Sequence, residues 1–186
     1  MEEVVFYKEW LSLPKEEFRI MMHLAINGSQ RGNLSDMCRW FGLNPQTTTR
    51  RIMREAIEEL EKKNMIILSH QGRTYTLNLI PKETEIRLPL TWVQQIMHRE
   101  KYYDSVAVEV VIKVLLWLKD NGLKLLQNYQ ITTDLNISVS TLNTAKRVLR
   151  DDFGAIMQTI IRTKIAEGVF VTEGQEISLS AWLKEE

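Results

Sequence analysis

The chain has 186 residues, 44% hydrophobic and 26% charged, which excludes a disordered or fibrous polymer and suits one large or two small globular domains. Lysine plus arginine equals aspartate plus glutamate at 24 each, so the balance argues against a non-specific nucleic-acid coat but leaves room for a local basic patch. One cysteine, Cys38, excludes a disulfide framework; the Met-Glu-Glu start lacks the basic end of a signal peptide, and the most apolar run, Val106 to Leu118, is broken by Glu109 and Lys113, so a cytoplasmic protein without membrane contact is expected.

Residues Met1 to Leu13 carry Val4, Val5, Phe6, Tyr7, Trp10, Leu11 and Leu13, too apolar for a loose tail. Pro14, Glu16 and Glu17 are helix start signals, and Asn27-Gly28 stops that helix. A second, short helix is expected over Leu34 to Phe41. Asn33 is its N-cap, Asp36 suits the positive end of its dipole, and Leu34, Met37, Cys38 and Phe41 form its apolar face. Gly42-Leu43-Asn44-Pro45 then turns the chain, with Pro45 placed to open the next helix.

The longer helix, Gln46 to Lys63, carries the functional signal. Thr49, Met53, Ala56, Ile57 and Leu60 recur every three or four residues and mark its buried side. At about 100° per residue, Thr47, Thr48, Arg51 and Arg54 then point outward with Arg50 on the flank. The start of the helix is cationic and hydroxyl-bearing. Its end carries Glu55, Glu58, Glu59 and Glu61, which repel phosphate. A helix entering the major groove needs this polarity, because its N-terminal residues make the contacts; arginine forks onto guanine, and threonine touches phosphate or the thymine methyl. A hairpin follows, with strands Met65 to Ser69 and Arg73 to Leu79 joined through His70-Gln71-Gly72. His70 and Arg73 near its tip are candidates for backbone phosphate.

The run NLSDMCRWFGLNPQTTTRRIMREAIEELEKKNMI resembles the winged-helix core of bacterial transcription regulators. The shared pattern is a short helix, Gly-Leu, a Thr/Arg-rich helix, and Leu-Glu followed after three residues by two apolar ones. The resemblance covers roughly the first eighty residues. The second helix is longer than usual, and Asn64 stands where a glycine is common. The family resemblance implies DNA binding by a helix-turn-helix with a β-wing, although winged helices also bind proteins and RNA.

Pro81 and Pro89 bracket a charged, unpatterned run, and the domain boundary is placed near Glu83, giving domains 1–83 and 84–186. The second half is expected to repeat the plan. Thr91 to His98 reads as a short helix, Ser105 caps a strong helix from Val106 to Lys119, and Tyr129 to Leu135 is a further short helix. Ser138 or Ser140 caps the next, with Leu142, Ala145, Val148 and Leu149 inward. Ser140, Thr141, Thr144, Lys146, Arg147 and Arg150 are expected mostly outward. Helix is also expected over Phe153 to Glu167, then a hairpin of Val169 to Thr172 and Glu176 to Ser180 around Glu173-Gly174-Gln175. Trp92, Trp117 and Trp182 read as core or interface anchors.

The expected fold is therefore mainly α with small β-hairpin wings (α+β), as two tandem winged-helix domains. Such a pair also resembles plasmid and phage replication initiators. Three histidines, His23, His70 and His98, lie far apart without metal-ligand spacing, and no phosphate loop, catalytic triad or nucleophile elbow is present. The reading is a non-enzymatic protein with no cofactor or metal that binds double-stranded DNA, with a homodimer as a candidate assembly. Its expected DNA contacts are Gln46, Thr47, Thr48, Arg50, Arg51, Arg54, His70 and Arg73, with Thr141, Lys146 and Arg147 in the second domain. The alternative is a protein-interaction scaffold that binds no DNA.

Overall fold

A computed structural model describes residues 2–98, 106–121 and 125–179. Among these residues the chain forms seven α-helices and eight strands. It divides into two compact units, Val4–Glu85 and a second made of Met1–Glu3 with Ile86–Glu186.

In the Val4–Glu85 unit, the apolar N-terminal segment supplies core. Strand β1 (Glu3–Tyr7) runs into a single 3₁₀ turn, Lys8–Trp10. Phe6, Trp10 and Phe18 are fully buried, with Phe6 edge-on to Trp10 at 6.2 Å and stacked near Phe18 at 6.5 Å. Helix α1 (Lys15–Asn27) starts after Pro14, and Gly28 ends it at a φ of 74°. A short strand β2 (Gln30–Gly32) leads to α2 (Leu34–Trp40), which is closed at its start by a capping box. Asp36 N donates to Asn33 Oδ1 and Asn33 N donates to Asp36 Oδ2, both at 2.9 Å. Gly32 is required where β2 meets α2: a Cβ there would lie 3.0 Å from Asp36 Cβ and 3.1 Å from Trp40 Cζ2.

Helix α3 (Thr47–Lys62) buries Met53, Ile57 and Leu60 completely. It stops at Asn64, whose left-handed φ of 54° explains why asparagine can stand in for glycine there. Strands β3 (Ile66–Gln71) and β4 (Thr74–Leu79) form the hairpin, and the antiparallel sheet has the order β2-β4-β3. The turn is tighter than expected. His70 pairs with Tyr75 and Gln71 with Thr74, leaving only Gly72 and Arg73 in the loop.

The second unit begins with most of β5 (Glu85–Pro89), then α4 (Leu90–His98) and α5 (Val108–Asn121). Val111, Ile112, Val114, Leu115 and Leu116 of α5 are all fully buried, so this helix is core around most of its circumference. Strand β6 (Leu125–Leu126) precedes α6 (Asn128–Leu135) and α7 (Val139–Arg147). A π-helical turn, Val148–Asp152, follows α7. Two strands close the unit, β7 (Ile156–Ala166) and β8 (Val169–Leu179), in a sheet of order β6-β8-β7. Of the two serines considered as caps for α7, Ser138 holds the position: Thr141 N donates to its Oγ at 3.1 Å. The expected cap Ser105, the strand end Ser180 and the anchor Trp182 lie outside the described residues.

The fold expectation needs correction. The molecule is α+β with small antiparallel sheets, and two tandem winged-helix domains are not what it shows. The helix expected over Phe153 to Glu167 is strand β7, and the expected turn at Glu173-Gly174-Gln175 lies inside β8; the chain reverses at Glu167-Gly168 instead. The cause is legible in the residues. Ile156, Ile160 and Ile165 also satisfy a helical spacing, but Thr159, Ile160, Ile161, Thr163 and Ile165 are β-branched and favour the extended chain. A long partner strand decides between the two periods.

The pair joining α1 to α3 gives a direct test of this packing. Lys63 Nζ donates to Glu17 Oε2 at 2.6 Å, and the Glu17 side chain is only 8% exposed. Lys63→Ala strands a largely buried carboxylate and should lower the unfolding free energy by about 2 kcal/mol, less than a fully buried pair because the lysine meets solvent. Glu17→Gln combined with Lys63→Ala should recover most of that loss in denaturant unfolding; no recovery would mean the helices are held by packing alone.

Candidate nucleic-acid interface

The fully buried stripe Met53, Ile57 and Leu60 fixes the rotation of α3 about its own axis. With that side inward, Gln46, Thr47, Thr48, Arg50, Arg51 and Arg54 are exposed. Thr49 belongs to neither face. Its hydroxyl donates to Asn44 O at 2.7 Å and accepts from Gln46 N at 2.9 Å, which ties the turn to the first residues of α3. The side chain expected in the core therefore builds the entry to the helix instead.

Five of the expected contacts come together. Thr47, Arg50, Arg51 and Arg54 line one groove of about 650 Å³, whose opposite wall is Gly72, Arg73 and Tyr75 of the hairpin. Its end is closed by Asn33, Leu34 and Ser35 at the start of α2. Gln46, Thr48 and His70 do not line it. His70 is exposed and leans on Tyr75 at 5.8 Å between ring centres. The sequence reading missed Ser35 and Tyr75. Tyr75 is half-buried on β4, and its place two residues after Arg73 puts both on the same side of the strand.

The charges of the groove are almost unneutralised. Arg51 Nε lies 3.7 Å from Glu55 Oε1, with both side chains well exposed, so the pair is weak. No carboxylate lies within 4 Å of Arg50, Arg54 or Arg73 among the described residues. The other flank of α3 is different. There Glu55 and Glu59 share a shallow depression with Glu16 and Glu17 of α1. Helix α3 is thus cationic toward the hairpin and acidic toward α1, a sideways polarity added to the lengthwise one.

His23 sits in an aromatic stack, parallel to Trp40 at 4.9 Å and edge-on to Phe41 at 5.4 Å. Burial in that stack holds its pKa below the usual histidine value. It is a packing residue of the α1–α2 contact.

In the second unit the three expected contacts scatter. Arg147 is exposed, and Thr141 is half-buried with its hydroxyl 2.8 Å from Ser138 Oγ at the start of α7. Lys146 departs from the outward expectation: it is only 4% exposed. Its Nζ donates to Asn128 Oδ1 at 2.9 Å and Gln175 Oε1 at 3.0 Å. The i, i+3 and i+4 stripe of Leu142, Ala145 and Leu149 carries Lys146 along its border, and the aliphatic stem follows it into the unit. Desolvation, helped by the cationic Arg150, lowers its pKa to about 8.

This lysine generates a pH signature with a definite sign. Its folded pKa lies below its unfolded value of 10.5, so the unfolded chain binds the extra proton between the two. The cost of burying the ammonium is present below pH 8 and is relieved as pH rises from about 8 to 10.5. Wild type should therefore gain stability relative to Lys146→Met across that window, by at most about 3 kcal/mol. Urea unfolding of both proteins at intervals from pH 7 to about pH 10.5 measures the difference; parallel curves would mean the amine is solvated.

No helix among the described residues is long and apolar enough to cross a membrane. No protein family, curated protein or solved structure matches the chain, which leaves the chemistry of its own grooves to carry the functional reading.

Proposed function

We propose that the Val4–Glu85 unit binds double-stranded DNA in a sequence-dependent way, with the start of α3 in the major groove and the β3–β4 hairpin on the backbone, to regulate transcription or initiate replication. The observation that carries this reading is the convergence of Arg50, Arg51, Arg54 and Arg73 on one open groove with so little internal neutralisation. Four guanidiniums held together with only one weak, exposed ion pair among them repel one another, and a phosphate or a guanine edge relieves that repulsion. A helix followed by a turn and an exposed cationic helix start is also the geometry that major-groove readers use. Zero net charge over the chain fits a reader whose cations are gathered in one place.

Roles divide by position on the helix. Arg51, on the outward line with Thr47, reads bases, and Arg50, on the flank, meets phosphate. Once a target has been selected from random duplexes, Arg51→Ala should cost about 1–3 kcal/mol on that target and little on random DNA. Arg50→Ala should instead weaken all sequences alike and reduce the salt slope by about 1. Glu55→Gln should strengthen binding by up to about 1 kcal/mol, because it releases Arg51 from its exposed pair. Fluorescence anisotropy across a salt series reads all three, and unchanged binding in both arginine variants would remove the groove assignment.

A second reading, protein contact, is favoured by one observation in the other unit. Ile165 and Phe170 on the β7–β8 hairpin are 64% and 57% exposed, and Val169 and Val171 are also exposed. Exposed apolar groups on a long hairpin are a surface that another chain covers, a second copy included. If the hairpin pairs two copies, Ile165→Ser with Phe170→Ser should leave the circular dichroism spectrum intact and shift the mass measured by light scattering from dimer to monomer. A monomeric wild type would reject the homodimer.

A further inference from the structure

We propose that the second unit contains a binding pocket for a small phosphate- or carboxylate-bearing ligand, built around Lys146 and independent of the DNA reading above. The cavity measures about 400 Å³ and is walled by α6, α7 and both strands of the long hairpin. Lys146, Asn128, Asn143, Gln158 and Gln175 supply its polar lining, with Tyr129 at an exposed rim.

The hydrogen-bond pattern states what the pocket lacks. A lysine ammonium only donates, so it orients the Asn128 and Gln175 carboxamides with their oxygens toward it. Those oxygens are then saturated. Asn128 Oδ1 also accepts from Gln175 Nε2 at 2.6 Å, and Gln175 Oε1 also accepts from Gln158 Nε2. What is left over is donor: the third N–H of Lys146 and the Asn128 amide. The Asn143 carboxamide, uncommitted within the cluster, can turn two further N–H groups toward an anion, its own oxygen turning away. Around the ammonium itself the facing oxygens are filled and an N–H is spare, an arrangement that takes an electron-rich group.

Charge points the same way. Lys146 has no carboxylate within 4 Å among the described residues, and the charge that bears on it, Arg150, is also a cation that pairs with Asp151 at 2.7 Å. A buried ammonium surrounded only by carboxamides is poorly compensated, and an anion seated on it supplies the missing partner. The amine is too deep for a duplex backbone, whose phosphates stay on the surface of a wide rod; a small ligand can enter.

The test uses the full chain and inorganic phosphate as probe, by isothermal titration calorimetry at pH 7 with ionic strength held constant by chloride. Saturable binding is expected in wild type. Lys146→Met should lower the association constant at least tenfold. Asn143→Ala, at a side chain with no bond inside the cluster, should lower it severalfold without disturbing the fold, and it keeps the proposal testable should the lysine variant fail to fold. Absence of saturable binding in wild type, or equal binding in wild type and the Asn143 variant, would overturn the proposal. A random duplex that displaces the phosphate would also overturn it, by assigning the pocket to the nucleic-acid surface. Failure here leaves the arginine groove untouched, since the probes and variants are different.

Discussion

Everything proposed for the first unit depends on how α3 is clamped. Met53, Ile57 and Leu60 are fully buried on one side, and each such side chain removed from water contributes about 2 kcal/mol. Rotating the helix far enough to hide its arginines would bring that stripe out and drive guanidiniums into an apolar core. Neither is affordable at the scale of a domain's net stability. The Glu17–Lys63 pair and the Thr49 hydroxyl pin the two ends of the same helix, so both its rotation and its entry angle are fixed. The cationic face is therefore a consequence of core packing. It exists before any ligand arrives, which reduces the ordering cost of binding.

Local signals in the first unit translated into structure with small errors. Asn33 caps, Gly28 and Asn64 terminate, and the period of α3 sorts buried from exposed residues, because each depends on neighbours close in sequence. Misreadings came where a distant partner decided. Ile156, Ile160, Ile161 and Ile165 recur at helical spacing, and pairing with Val169–Leu179 decided for the strand. Lys146 lies beside the inward stripe Leu142, Ala145, Val148 and Leu149, so helical spacing alone points it outward. Its burial depends on Asn128 and Gln175, which lie 18 and 29 residues away along the chain and are brought together only by the fold. The clustering of Arg50, Arg51 and Arg54 was legible, being set by one helix. Arg73 was legible as a residue near the hairpin tip, whereas the groove it forms with Tyr75 opposite α3 was not, since that follows from how the hairpin packs.

The two units share an order of elements in part and differ in chemistry. Each has a helix, a short strand, two more helices and a closing hairpin, and in each sheet the last strand lies in the middle. In both, a cavity forms where the hairpin faces the helix preceding it. The first is lined with exposed arginines and is open to a large partner. The second places its lysine at the bottom among carboxamides, where only a small group can reach. Residue choice near the base of the hairpin accounts for part of this change, because β7 and β8 contribute Gln158 and Gln175 as a polar wall over the amine.

Equal numbers of acids and bases look unpromising for a DNA-binding chain until their placement is considered. A uniformly basic surface attracts phosphate from every direction and holds DNA in many registers. On α3 the acids Glu55 and Glu59 occupy the flank toward α1, while the arginines occupy the flank toward the hairpin. In the proposed reading, a duplex approaching from the α1 side would meet carboxylates, of which Glu59 and Glu17 are already paired with Lys62 and Lys63, and one approaching from the hairpin side would meet four guanidiniums. Repulsion of wrong orientations discriminates as well as attraction to the right one does. Under the proposed DNA reading, the neutral balance is then a device for orientation: it would give up non-specific affinity, which cations alone would provide, and leave binding to depend on contacts that only one docking geometry can make.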